Sequence, residues 1–436
     1  MTVRRPRNRK AQLADAAAEL FRKHGYHQVS VHDIAAAAGV TGPAVYRHFR
    51  GKQDILAHVL LSGMDTFGLV TEEALAEPGS PGEQLDALLR AVAALAVDRR
   101  EVTALWRWEG RHLDRADQAK IRHRGGDLMA QWGIALRDVR PELSFADAEL
   151  LCWAALSVFG SVSVHHVSPP RRRFEALLAT LARAVLDWPV PPGAEPPAPA
   201  PLASWQRVAT RSSRREELLA AATALFRDRG YHAVSMEDIG AAAGIAGPSI
   251  YRYFPGKAAI LVAAGYRMGD RLARTAEVAI ADATDPADAL TRLAQSYVDT
   301  VLRSDNLMAT FASELGNLPD RDRTELVRVQ RDYVARWVHL VRTVTPDLAE
   351  PDARVTVHAA LTVVNDLART PRILARPRIA AELAALAETV LSAWSESEGA
   401  GAVWTEERAQ ARQRRARDEG RRHLERLSEA TIRHRK

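Results

Sequence analysis

The sequence predicts an all-α protein made of two tandem copies of one helical architecture. Three observations carry that prediction. Alanine and leucine recur between charged positions while aromatics make up only 6% of the 436 residues, a vocabulary that favours helices. No segment sustains the apolar–polar alternation of a strand. One long stretch of sequence also returns at a fixed offset, the signature of an internal repeat.

The repeat is plain to the eye. LFRKHGYHQVSVHDIAAAAGVTGPAVYRHFRGK, starting at Leu20, reappears as LFRDRGYHAVSMEDIGAAAGIAGPSIYRYFPGK, starting at Leu225, an offset of 205 with no gap. The same offset pairs Glu109 with Glu314, Trp132 with Trp337, Asp147 with Asp352 and Leu186 with Leu391. Convergent helices cannot hold one register over that distance. Between the copies, Pro189 to Pro201 reads PVPPGAEPPAPAP, too proline-rich for a helix and suited to an extended spacer. The expected domains are a head at 1–56, a helical body at 57–188, a linker at 189–206, a second head at 207–261 and a second body at 262–395. A charged tail, 396–436, follows, either as a solvated helix or as a basic arm.

Composition bounds the function. Hydrophobic residues at 47% and charged residues at 26% are ordinary for a soluble globular chain, and a net charge of +6 is compatible with a nucleic-acid partner. The single cysteine, Cys152, excludes an internal disulfide and fits a reducing cytoplasm. No apolar signal core follows the basic N-terminus. The apolar run from Leu150 to Val164 is shorter than the ~20 residues that span a bilayer, so it reads as a buried helix and no membrane partner is expected.

The first head can be justified element by element. Leu13, Ala17, Leu20 and Phe21 share one helical face, and Gly25 stops that helix. Ser30 and Asp33, echoed by Ser235 and Asp238, form a capping-box pattern that starts a short second helix, which Gly39 closes. Thr41 is placed to cap a third helix with Pro43 in its first turn, while Val45 and Phe49 face the core. Helix, tight turn and helix make a helix-turn-helix unit. The bodies read as further amphipathic helices, broken in the first copy at Pro78-Gly79, Pro141 and Pro169-Pro170.

With those residues in place, LFRKHGYHQVSVHDIAAAAGVTGPAVYRHFRGKQDIL resembles the DNA-binding head of TetR-type regulators, and its second copy resembles it equally. The resemblance implies that the third helix enters the major groove of double-stranded operator DNA. It places Ser30, His32, Thr41, Gly42, Pro43, Ala44, Tyr46, Arg47, His48 and Lys52 at the DNA in the first head. In the second it places Ser235, Glu237, Gly247, Pro248, Ser249, Tyr251, Arg252, Tyr253 and Lys257 there. Tyr46, His48 and Lys52 match phosphate-contacting positions, Arg47 can read a base or the backbone, and His32 can reach a base. Arginines ahead of each head (Arg4, Arg5, Arg7 and Arg9; Arg207, Arg211, Arg214 and Arg215) can track phosphates or stay solvated. The heads differ: His32, Thr41, Ala44, His48 and Arg50 become Glu237, Ala246, Ser249, Tyr253 and Pro255. The second head therefore reads another half-site or binds weakly, and Ala246 removes a helix cap, typically ~1 kcal/mol.

The family's bodies hold a small apolar effector and dimerise through their last two helices. Val102, Leu105, Trp106, Glu109 and Leu113 share a stripe, so Glu109 is either paired internally, with Arg137 a candidate, or anchors an effector. Glu314 repeats the arrangement. Trp106, Trp132, Phe311 and Trp337 are the remaining pocket candidates, with packing the competing role for Trp132 and Trp337. His165, His166 and His358 lack the companions a zinc site needs, so no metal or cofactor is expected. No phosphate loop, nucleophile elbow or catalytic carboxylate pair appears, which argues against an enzyme. The expected protein is a cytoplasmic, ligand-responsive repressor, the alternative being a DNA-binding module without an effector. The two copies are expected to pair inside one chain, with a two-chain, four-headed assembly as the competing arrangement.

Overall fold

The computed structural model describes residues 9–108, 110–191, 213–245, 247–304 and 317–394. Among them there are helices and no strands. The first copy begins with α1 (Arg9–His24), α2 (Val31–Ala37) and α3 (Gly42–Tyr46), then α4 (Lys52–Leu75), α5 (Pro81–Asp98), α6 (Arg100–Trp108), α7 (Arg115–Val139), α8 (Phe145–Gly160) and α9 (Arg171–Asp187). The second repeats the plan with α10 (Arg214–Arg229), α11 (Met236–Ala242), α12 (Gly247–Ile250), α13 (Lys257–Ala281), α14 (Pro286–Leu302), α15 (Asp320–Val344), α16 (Glu350–Leu367), the short α17 (Pro371–Leu374) and α18 (Ile379–Ser392). α15 starts and ends 205 residues after α7, so the repeat is one of structure as well as sequence.

Local chemistry sets the boundaries. Ser30 and Ser235 each accept from the backbone N–H three residues on, while Asp33 and Asp238 reach back to the backbone N–H of their serine at 2.8 Å. These reciprocal bonds satisfy donors that a helix start leaves orphaned. Ser80 with Glu83 makes a third such box at the start of α5. Gly25 and Gly230, at φ 78° and 79°, end the first helix of each copy in a conformation that L side chains avoid. Thr41 corrects an expectation. It occupies the N-cap position of α3, but its side chain makes no capping bond, so the capping loss assigned to its replacement by Ala246 has no bond behind it.

Both copies lie in one unit, Met1–Leu391. Each head has its own core: Leu13, Phe21, Ile34, Val45 and Phe49 in the first, and Leu218, Phe226, Ile239, Ile250 and Phe254 in the second. α8 packs against α9 and α7 of its own body and against α16 of the second copy. The helical run Phe145–Ser163 reaches 19 residues, longer than the apolar segment alone suggests. Length and composition would let it cross a membrane, but 61% of its apolar window is buried inside the protein, as in a core helix.

Polar contacts tie the copies together, two of them through the counterpart carboxylates Asp147 and Asp352. Arg376 of the second copy donates to Asp147 of the first at 2.6 Å and to the carbonyl of Ala146 at 3.0 Å. Arg173 of the first copy pairs with Asp352 of the second, the counterpart of Asp147. The imidazoles of His165 and His358 stand 4.9 Å apart, and those of His27 and His232, again counterparts, 4.3 Å. Most of the 189–206 linker, the tail from 396, and Arg4, Arg5, Arg7, Arg207 and Arg211 lie outside the described residues.

Candidate nucleic-acid interface and effector cavity

The third helix of each head is held from beneath and exposed above. Val45 and Phe49 are buried, so Pro43, Tyr46, Arg47 and His48 project to solvent, with Gly42 and Ala44 half-buried. Tyr46 is 60% exposed, and Tyr251, its counterpart, 51%. Large aromatic rings left in water on a short helix are available for contact with another molecule. His32 and Thr41 are exposed as well. Ser30 is exposed too, but its hydroxyl is committed to Asp33 at 2.6 Å.

Lys52 is the residue whose surroundings the sequence concealed. Its ammonium donates to the carbonyls of Tyr26 at 2.7 Å and His27 at 3.4 Å and lies 4.3 Å from the Tyr26 ring centre. Lys257 repeats this with the Tyr231 carbonyl at 2.8 Å and the Tyr231 ring at 4.7 Å. Each lysine thus ties the start of the fourth helix to the loop after the first.

The second head presents a different surface. Arg252 is exposed, Ser249 is half-buried, and Tyr253, exposed as His48 in the first head, is half-buried against the core. Arg215 donates to the Tyr253 carbonyl at 3.1 Å and stacks on Phe254 at 4.3 Å, and Arg214 pairs with Glu217 at 2.7 Å. Both arginines therefore brace the head locally. Glu237 is exposed, with its carboxylate 3.5 Å from the Tyr251 hydroxyl. That places a negative charge beside a phenol on the exposed surface of the head. Ala246 and the side chains of Gly247 and Pro248 lie outside the described residues.

In the first body a cavity of about 980 Å³ opens between α4, α5, α6, α7 and α8. Trp106 lines it, with its indole N–H bound to the Leu60 carbonyl at 3.1 Å. Trp132 does not line it. Only 1% exposed, it packs between Phe67 and Phe159, and its indole N–H meets Thr71 at 3.3 Å. Trp337 is equally buried, beside Tyr297 and Tyr333. Glu109, Phe311 and Glu314 lie outside the described residues. Arg137, the partner considered for Glu109, donates to the Leu143 carbonyl at 3.0 Å and stacks 3.8 Å from the ring of Phe145.

Burial shapes the ionisation of the inter-copy contacts. Burial raises the carboxyl pKa of Asp147, but bonds from Ser144 and Arg376 more than reverse this and leave it below the ordinary value. Desolvation lowers the His358 imidazole to about 4, with nearby Arg354 adding to the effect. It lowers His165 to about 2, helped by His358, Arg100 and His166. No cluster of three potential metal ligands occurs among the described residues.

Comparison with known proteins agrees with this geometry. Residues 13–59 and 218–264 each match the model for bacterial regulatory proteins of the tetR family, and residues 283–369 match a tetracyclin repressor-like C-terminal domain. The fatty acid metabolism regulator protein of Bacillus subtilis (strain 168) is 35% identical over 83 residues, 19% of this chain and 43% of that one. The transcriptional activator FasR of Mycolicibacterium smegmatis is 34% identical over 91 residues, 21% of this chain and 42% of that one. The repressor KstR2 of the same organism is 26% identical over 149 residues, 33% of this chain and 73% of that one. The chain thus spans less than half the length of the first two relatives. Two matched heads with like surroundings show a head of the tetR-family type carried twice in tandem, the second followed by a matched tetracyclin repressor-like C-terminal domain.

Proposed function

We propose that this chain is a cytoplasmic, ligand-responsive repressor that grips one operator with two unlike heads and releases it when a small apolar effector occupies a body. The observation that carries this reading is the pair of exposed third helices, Tyr46-Arg47-His48 in one head and Tyr251-Arg252-Tyr253 in the other, on copies joined through α8 and α16. Phosphate contacts through Tyr46, His48, Lys52, Tyr251 and Lys257 would position the protein, and Arg47, His32, Arg252 and Glu237 would choose the bases. Pairing within one chain lets both heads meet successive turns of DNA without a second copy, since turns lie ~34–36 Å apart. An effector acts by favouring a spacing of the heads that the operator does not match.

Repression is our reading, because the relatives' names include an activator and a repressor alike. The rival, a DNA-binding module without an effector, fits poorly with the 980 Å³ cavity in the first body. A footprint of the purified chain on the DNA upstream of its own gene tests the proposal. Protection of two unlike half-sites about one turn apart, lost on adding an extract that contains the effector, is expected. A perfect palindrome, or no protected site, would contradict it.

A further inference from the structure

The two bodies share a plan but not an interior. In the first, Val92, Gly133 and Gly160 line the cavity, and a side chain added at Gly133 would meet nothing within 4 Å. Their counterparts 205 positions on are Tyr297, Val338 and Asn365. Tyr297 is buried, and its hydroxyl is hydrogen-bonded to the Asn365 side chain at 2.9 and 3.1 Å. Tyr333, where the first copy has Leu128, lies 6.2 Å from Tyr297 and 6.2 Å from Trp337, ring centre to ring centre. Larger side chains thus stand at positions that the first body keeps small, and hydrogen bonds fix Tyr297 and Asn365 there.

The second copy has nonetheless kept a part in the cavity. Asp366, Arg369, Thr370 and Arg372, from the end of α16 and from α17, reach its rim. The same Asn365 that bonds Tyr297 accepts at its carbonyl from Arg369 at 3.2 Å, so the filled interior of the second body anchors the segment that borders the first body's cavity. The charge of the lining is lopsided. The lining holds Arg99, Arg122, Arg369 and Arg372 against Glu149 and Asp366, with Asp366 2.6 Å from Arg369, Glu149 3.9 Å from Arg372, and Arg99 3.8 Å from Asp15 outside the lining. The apolar Ile134 and Phe145, 57% and 70% exposed, also line the cavity and offer water-facing surface that a ligand's apolar part would cover. A volume near 980 Å³ is at the upper end for small-molecule sites.

We propose that the first body alone is the receptor, that its ligand is an apolar molecule with an anionic head, and that Arg369 and Arg372 of the second copy meet that head. The second body then serves as a rigid rim, and effector occupancy is sensed across the junction between the copies. This rests on the ligand-responsive reading above.

The test uses the full chain and 1-anilinonaphthalene-8-sulfonate, an apolar ring system with one anionic group, beside its neutral analogue N-phenyl-1-naphthylamine. Fluorescence titration should give one sulfonate site per chain, with the neutral probe binding more weakly. Val92→Tyr with Gly160→Asn, which places the second body's residues in the first, should weaken binding by about tenfold or more while a cooperative melt shows the variant folded. Because that variant can fail to fold, Arg372→Ala on the rim is the second arm. It should weaken the sulfonate by about threefold and leave the neutral probe unchanged. Two sites per chain, a neutral probe that binds as tightly, or full affinity in a folded filled variant would overturn the proposal. DNA release is measured in the same samples. One site without release refutes ligand response and leaves the receptor assignment standing, whereas release with two equal sites refutes the assignment and leaves ligand response intact.

Discussion

Arg376 of the second copy donates to Asp147 of the first at 2.6 Å while also holding Glu382 of its own copy at 2.7 Å. Across the junction, Arg173 closes on Asp352, the counterpart of Asp147. Each copy therefore gives an arginine from near the start of its last long helix to a carboxylate in the first turn of the other's preceding helix. The carboxylates are counterparts and the arginines fall two positions out of register, since the counterpart of Arg173 is Arg378, so the junction approximates the reciprocity of a two-fold homodimer interface inside one chain.

The first prediction concerns that junction. Asp352 is 1% exposed, and a buried carboxylate stripped of its cation costs far more than a surface pair gains. Arg173→Ala should lower the unfolding free energy by about 3 kcal/mol. Arg372→Ala, which removes an exposed partner 3.9 Å from Glu149, should cost under ~1 kcal/mol. Urea unfolding of both variants gives the comparison. Equal, small losses would show that Asp352 does not depend on Arg173.

Acid should act on the same region. The folded pKa values of His165 and His358, about 2 and about 4, lie below the ordinary 6.5. The unfolded chain therefore takes up protons first as pH falls. The stability due to neutral burial is complete above 6.5 and declines steadily toward pH 4, by on the order of 1–3 kcal/mol. His358→Leu should flatten that slope. A variant with the wild-type pH dependence would assign the acid sensitivity elsewhere.

Lys52 is expected to have two measurable roles. Lys52→Ala removes donors from the Tyr26 and His27 carbonyls and should cost the head about 1 kcal/mol. As a phosphate contact it should also weaken binding on all sequences alike and lower the salt slope by about one unit. A lower melting temperature with an unchanged slope would leave only the structural role.

Glu237→Gln tests whether the second head reads DNA. The carboxylate beside Tyr251 repels phosphates but can accept from a cytosine amino group. The substitution should change preference at a single position in one half-site and leave the other half-site alone. A uniform gain in affinity would mean that Glu237 acts by repulsion alone.

Much of this was legible in the sequence because it is local. Ser30 with Asp33, Gly25, Pro43, Val45 and Phe49 obey spacings within a few residues, and the structure places each as expected. What depended on distant parts of the chain was not legible. Lys52 meets a carbonyl 26 residues away, and Arg376 meets Asp147 from 229. Thr41 sits at its cap position, yet no side-chain bond forms there. Trp132 and Trp106 look alike as pocket candidates, and only packing sends one to the core and the other to the wall. One signal was there to be read: aligning the copies sets Val92 against Tyr297 and Gly160 against Asn365, a trade of space for bulk.

One chain is expected to supply both heads to an operator. Light scattering of the purified protein, alone and with an operator fragment, tests it most directly. A free mass near the 47.9 kDa of a single chain is expected, with one chain per operator of unlike half-sites. A stable particle of twice that mass, protecting a symmetric site, would contradict it.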